Sequence, residues 1–258
     1  KPISVYAPAF ESGKVSPATV YKDLPVSYAD GYWPKNDNRK YNYTKTVYQG
    51  IVSSINTISV RTLNAIGAEY GYSFAKYNFG QESLIESYDA GYEMKSDIGQ
   101  APLALGALTL GSTVQEMSAA YATFANDGIW REPRLYTKIY NSDGILVVDN
   151  TQDSRKILSD KTVNYMNYCL GDAVLRGTGT EADLYYSHGI TTAGKTGTSE
   201  KKAAEEALWA TLEVGKHYMG KVKNLASYGA FVDIGGVDGM VHNTELSWRK
   251  IKHPSQVV

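Results

Sequence analysis

Three short polar patterns stand out because their residue types are at odds with their surroundings. Ser54-Ile55-Asn56 interrupts the apolar run GIVSSINTISV, where mid-helix Ser and Asn are mildly unfavourable and usually bond to solvent or backbone. Lys195-Thr196-Gly197-Thr198 closes the small-residue stretch TTAGKTGT. There Lys195 supplies a point charge and the threonines supply hydroxyls, while Gly197 leaves the strand backbone open to a ligand. Lys1 opens the sequence. Each pattern alone is weak, since isolated S-x-N and K-T-G triplets are overwhelmingly ordinary helix and strand sequence.

Bulk composition narrows the setting. The 258 residues are 43% hydrophobic and 21% charged with a net charge of -1, which is globular and gives no global field drawing the chain to nucleic acid or membrane. The single Cys169 excludes an internal disulfide framework. No CxxC or Cys/His cluster is present, so neither metal nor cofactor is implied. Cys169 lies in the run YMNYCL and reads as a buried helix residue. Tyrosine is abundant, with 21 against 5 Phe, which suits half-buried rings with wet hydroxyls. The longest apolar stretch, APLALGALTLG at 101–111, is too short and too glycine-broken to span a bilayer. No signal peptide is read, and the opening Lys suggests a processed product, an excised piece or a fragment.

The elements that must position these residues are legible in part. Residues 1–45, rich in Pro, Gly, Tyr and Asn, read as extended loop with short elements. Helical patterns follow at 46–67, 73–79, 113–126 and 160–175. The third places Val114, Met117, Ala120, Tyr121 and Phe124 on one face and stops at Gly128. Thr113 with Glu116 resembles a capping box at its start. In RLYTKIYNSDGILVVDN a hairpin is expected to turn at Asp143-Gly144. Past Ser199 the texture changes with no turn residue between. EKKAAEEALWATLEVG reads as an exposed helix with Leu208, Trp209 and Leu212 on its apolar side. Three glycine-punctuated strands then suggest part of a small barrel.

Taken together, the three patterns keep the chain order S-x-x-K, S-x-N, K-T-G of serine acyl-transfer enzymes that open β-lactams. Residues 1–199 closely resemble the transpeptidase domain of class A penicillin-binding proteins. The match includes KPISVYAPAFESG, GYWPKND, TKTVYQGIVSSINT, LALGALTLGSTVQEMSAAYATFANDG, LRGTGTEA and TAGKTGTS. That resemblance implies roles. Lys1 would be the base that takes a proton from the serine, Ser54 a member of the proton relay, and Asn56 a partner of the substrate amide. Lys195, Thr196, Gly197 and Thr198 would bind the terminal carboxylate of a D-Ala-D-Ala stem peptide or a β-lactam, with the Thr198 N–H serving the oxyanion hole. The implied reaction is acylation of serine with loss of D-Ala, then transfer to an amine. The nucleophile would stand three residues before Lys1, so the expectation for this chain is no covalent penicillin binding. The family's five-stranded sheet has two strands before the lysine's helix and two after K-T-G. The K-T-G strand is therefore expected to be poorly supported, or paired with a foreign partner.

The segment from EEALWATLEVGKHYMGKVKNLASYGAFVDIGGVDGMVHNTELSW onward resembles a ribosomal protein S-one repeat, an OB-fold RNA-binding module. By that resemblance Tyr228, Phe231 and His242 would stack on bases of single-stranded RNA, with Lys221, Lys223 and Arg249 near phosphates. The bland alternative places Phe231 and Val232 in a core. Asn243-Thr244 departs from the family's usual apolar-Ser pair, and three strands would leave apolar interior exposed.

The expectation is therefore an α+β chain in three parts. Residues 1–199 form the mostly helical half of a penicillin-binding transpeptidase domain with one active-site strand and a small hairpin. Residues 200–212 form a linker helix, and 213–258 a partial OB-fold barrel. The two resemblances imply opposite sides of a bacterial membrane. The primary reading is a fragment of a peptidoglycan D,D-transpeptidase. The alternatives are an RNA-binding protein acting through its C-terminal part, or a non-natural chimera.

Overall fold

The computed structural model describes residues 1–27, 33–91, 94–197, 212–213, 215–234, 238–247, 249 and 251–257. Two compact units are present, Lys1–Thr196 and Gly197–Val258.

The start of the first unit corrects the expectation of a loop. Pro2–Tyr6 forms a π-helical turn that continues into α1 (Ala7–Glu11). Pro2 sits in a first turn, where its missing N–H costs nothing. Pro8 has no N–H for the carbonyl of Ser4, and the widened turn lies just before it. What makes these residues helical is burial: Val5, Tyr6, Ala7 and Ala9 are fully buried and Phe10 nearly so. An apolar helix of this length persists only because the core surrounds it.

β1 (Val20–Lys22) pairs antiparallel with β2 (Thr44–Thr46). The pattern at 46–67 is a pair of helices broken at the polar residues. α2 (Val47–Val52) starts in a capping box between Thr46 and Gln49. It ends where Ile55 N–H donates to Gly50 O and Ser54 N–H to Ile51 O, a Schellman stop. α3 (Asn56–Ile66) follows at once. α2 and α3 pass so closely at Gly50 that a Cβ there would lie 2.4 Å from Ile58 Cγ2.

α4 (Ala68–Ser73) begins earlier than the expected helix at 73 and runs into a π-helical turn, Phe74–Asn78. After the short ribbon β3 (Tyr88–Asp89) and β4 (Met94–Lys95), another π-helical turn spans Ala101–Leu105. α5 (Val114–Ala125) starts in the Thr113/Glu116 capping box, as the sequence suggests. β5 (Ile129–Arg131) pairs with β8 (Ser154–Lys156). Between them lies the hairpin of β6 (Lys138–Tyr140) and β7 (Leu146–Asp149), its turn carrying Gly144 at φ 75°. α6 (Asp160–Leu175), capped by Ser159, packs on α1, α2 and α5. It buries Cys169, whose thiol is pushed up to about 12 by that burial and then by the charge of Asp172. A 3-10 turn at Thr180–Ala182 and α7 (Tyr185–His188) complete the unit's helices.

Residues 190–197, which hold K-T-G, form neither helix nor strand. This corrects the single active-site strand. With no neighbouring ladder among the described residues, Gly194 N–H donates instead to Leu170 O of α6 at 3.1 Å. A lone strand has no partner to satisfy its backbone.

The second unit contains β9 (Lys221–Ala226), β10 (Gly229–Asp233) and β11 (Asp238–His242) in the order β11-β10-β9, antiparallel throughout. α8 (Asn243–Leu246) and a 3-10 turn at Pro254–Gln256 follow. Gly229 has no room for a side chain, since a Cβ would meet Val241 O at 2.5 Å. The expected helix from residue 200, with Leu208 and Trp209, lies outside the described residues; Leu212 is described and is not helical. Among the described residues no helix is long and apolar enough to cross a membrane.

Candidate functional site

Ser54 owes its position to the way α2 stops. The Schellman stop requires a left-handed residue, and Ser54 takes it at φ 54°, where glycine is the usual occupant. A left-handed non-glycine residue costs about 1–2 kcal/mol. In return the serine stands at the break between two helices, its Oγ free to face another segment. Lys195 Nζ donates to that Oγ at 2.8 Å across 141 positions.

Asn56 opens α3, whose own N-cap residue, Ile55, has no side-chain acceptor. Asn36 supplies it from a distance. Its Oδ1 accepts from the N–H groups of Asn56 at 3.1 Å and Thr57 at 3.3 Å, capping the helix in trans. Asn36 Nδ2 in turn donates to Asp23 Oδ1 at 2.8 Å, and Thr57 Oγ1 donates to the same oxygen at 2.5 Å. Asn42 N–H donates to Asp23 Oδ2 at 2.7 Å. Burial of Asp23 would raise its pKa, but the bonds from Thr57, Asn42 and Asn36 outweigh that, and the carboxyl falls below its ordinary value.

This network fixes the orientation of the Asn56 amide. Its Nδ2 donates to Lys35 O at 2.8 Å, and its Oδ1 accepts from Lys1 Nζ. Lys1 is half-buried. Burial, then the positive charge of Lys195, bring it down to about 7 against a smaller upward pull from Asp37. Burial likewise brings Lys195 down to about 8. Two amines near neutrality, one of them bonded to a serine hydroxyl, can exchange protons at physiological pH.

Side chains also tie α2 to α6. Tyr48 of α2 donates its hydroxyl to Asp172 Oδ2 at 2.6 Å, and Arg176 pairs with Asp172 at 2.8 Å. Lys195 Nζ also donates to Thr196 O at 2.8 Å and Thr196 Oγ1 at 3.3 Å. Among the described residues nothing lies within 4 Å of a Cβ placed on Gly197. The structure thus brings Lys1, Ser54, Asn56, Lys195 and Thr196 together. Thr198 lies outside the described residues. Among the described residues no group of His, Cys, Asp and Glu could hold a metal.

Asp23, Asn36 and Thr178 are the contributors that sequence reading passed over. The motif GYWPKND contains Asn36, and the absent cap at Ile55 was the signal that it was needed. LRGTGTEA contains Thr178, whose hydroxyl lies 2.7 Å from Thr196 Oγ1.

In the second unit, strand register sorts the side chains. Residues directly opposite share a face. Phe231 is opposite Asn224 and Met240, and His242 is opposite Gly229. Phe231, Met240, Asn224 and His242 therefore share one face. Tyr228 joins them from the turn, its ring edge-on to Phe231 with centroids 6.2 Å apart. Ala230, Val232, Val222, Leu225 and Val241 take the other, apolar face. Phe231 is thus set apart from Val232 rather than buried with it. His242 Nδ1 accepts from Thr244 N–H at 3.3 Å as the cap of α8. Lys223 pairs with Asp233 at 3.8 Å, Lys221 stands opposite Asp233 in register, and Arg249 is exposed beyond α8.

Two families match the chain. Residues 1–215 match the family described as penicillin binding protein transpeptidase domain, and residues 211–258 the S1 RNA binding domain. Penicillin-binding protein 1F of Bacillus subtilis is 35% identical over 199 residues, covering 77% of this chain and 25% of that protein. Small ribosomal subunit protein bS1 of Pseudomonas aeruginosa is 53% identical over 60 residues, covering 23% of this chain and 11% of that protein. The chain thus spans about a quarter of the curated penicillin-binding protein and less of the ribosomal one. The D,D-transpeptidase domain of a peptidoglycan glycosyltransferase from Eggerthella lenta shares the fold. Its TM-score is 0.60 at 22% identity over 77% of this chain and 52% of that one. PBPA from Mycobacterium tuberculosis gives 0.58 at 20% over 77% and 46%. The chain belongs to the penicillin-binding protein transpeptidase family and carries an S1 RNA-binding domain at its C-terminal end.

Proposed function

We propose that the first unit is the substrate-binding half of a peptidoglycan D,D-transpeptidase. It receives the C-terminal carboxylate of a stem peptide ending in D-Ala-D-Ala, or a β-lactam that imitates it. The observation that carries this reading is the environment of Lys195: among the described residues its ammonium meets only oxygens of Ser54 and Thr196. A partly buried cation that meets only neutral oxygens is short of one anion. In the acyl-transfer reaction Lys1 is the base, Ser54 the relay between the amines, and Asn56 the partner of the substrate amide. Lys195, Thr196, Gly197 and Thr198 hold the carboxylate. The nucleophilic serine of the S-x-x-K pattern belongs three positions before Lys1.

In this reading the parts are 1–199, a linker at 200–212 and an RNA-binding part at 213–258. The second part offers the Tyr228, Phe231 and His242 face to the bases of single-stranded RNA, with Lys221, Lys223 and Arg249 toward phosphates.

The test is an NMR titration with N-acetyl-D-Ala-D-Ala and with the same peptide amidated at its C-terminus. The acid is expected to shift Ser54, Asn56 and Lys195, and the amide to do so far less. Equal response to both would refute the carboxylate site.

A further inference from the structure

The loop between α6 and α7 is built around two glycines. A Cβ on Gly177 would lie 2.3 Å from Val52 O and 2.7 Å from Ala173 O. One on Gly179 would lie 3.2 Å from Ala173 O. Thr178 N–H donates to Val52 O at 3.2 Å and Gly179 N–H to Ala173 O at 2.9 Å. The backbone is therefore pressed onto the ends of α2 and α6, and the only side chain this triplet projects is that of Thr178. That side chain is exposed. Its hydroxyl stands 2.7 Å from Thr196 Oγ1, the oxygen that receives Lys195 Nζ at 3.3 Å.

A hydroxyl has one proton and two lone pairs. When Lys195 donates to Thr196 Oγ1, that oxygen keeps its proton and one lone pair. The Thr178–Thr196 pair can open so that both protons turn to an arriving anion. A carboxylate has about four acceptor positions, more than one ammonium and one hydroxyl fill.

The geometry points to Thr178 as an additional carboxylate-binding residue, donating to the second oxygen of a peptide C-terminal carboxylate held by Lys195 and Thr196. This rests on the carboxylate-site reading above, and it assigns a binding role to a loop which that reading leaves unused.

The test is the same pair of peptides titrated into the full chain and into four variants: Thr178→Val, Thr178→Ser, Thr196→Val and the double Thr178→Val/Thr196→Val. In Thr178→Val, which keeps the shape and removes the hydroxyl, affinity for N-acetyl-D-Ala-D-Ala is expected to fall about tenfold, the usual effect of losing one hydrogen bond to a charged group. The response to the amidated peptide should not change. Thr178→Ser restores the acid's affinity. In a Thr196→Val background the loss from Thr178→Val persists, because Thr178 reaches the ligand itself. A wild type that prefers the acid while Thr178→Val matches it would overturn the role of Thr178 alone. So would a loss that vanishes in the Thr196→Val background. A wild type indifferent to the carboxylate would overturn the site reading and this inference with it.

Discussion

Lys195 and Ser54 are 141 positions apart and joined by a 2.8 Å hydrogen bond from ammonium to hydroxyl. The contact needs both a left-handed serine at the end of α2 and a K-T-G segment tied to α6 through Gly194 and Leu170. Neither lysine of the site is placed by its own local structure. Each is brought to the α2–α3 break by packing.

Carboxylate binding should depend on pH through Lys195. Its amine is near about 8 when the site is empty, and only the charged form attracts an anion. Affinity for N-acetyl-D-Ala-D-Ala is expected to be constant below pH 7 and to fall as pH rises past 8. Calorimetry across pH 6 to 9.5 would record this, and a flat profile would contradict it.

Stability should carry the opposite trace of Lys1. Its folded value, about 7, lies below the unfolded one of 10.5. Between them the unfolded chain binds more protons, so this group makes stability rise with pH. Lys1→Met is expected to be more stable than wild type at pH 6, with the gain shrinking by pH 9. Urea unfolding at the two pH values measures it, and an equal difference at both would show that Lys1 is not withdrawn from water.

Asn36→Ala should uncap α3 and leave Asp23 short of a donor. The expected cost is about 1–3 kcal/mol, read as a lower urea midpoint with an unchanged slope. Asn36→Asp keeps the acceptor for α3 but sets a second carboxylate against Asp23, so it should recover little. A loss under about 0.5 kcal/mol, the usual range for ordinary surface positions, would contradict the trans cap.

Much of this fold was legible where its determinants are local. Thr113 with Glu116, the start of α6 at Asp160 and the turn at Gly144 all follow from a few adjacent residues. What failed were features decided at long range. The prolines of residues 1–11 suggested a loop, yet burial of Val5, Tyr6 and Phe10 enforces a helix. The K-T-G segment had strand composition, but a strand exists only beside another. Of the site, the charged and hydroxyl residues were readable from spacing. Asn36, Asp23 and Thr178 were not, since their importance lies in partners 20, 34 and 18 positions away.

RNA binding by the second unit should follow the sorting of faces. Phe231→Ala is expected to weaken single-stranded RNA by about 1–3 kcal/mol, the range for one stacked base, with affinity falling as salt rises. Fluorescence anisotropy with a labelled oligouridine checks both. Binding indifferent to Phe231 and to salt would remove this face from consideration.

The most direct test of the shared site is proton NMR of the 15N-labelled lysine side chains. Lys1 and Lys195 Nζ should titrate near 7 and 8, and saturating N-acetyl-D-Ala-D-Ala should move Lys195 back toward the usual lysine value. Two amines titrating near 10.5, or a peptide that leaves Lys195 unmoved, would contradict it.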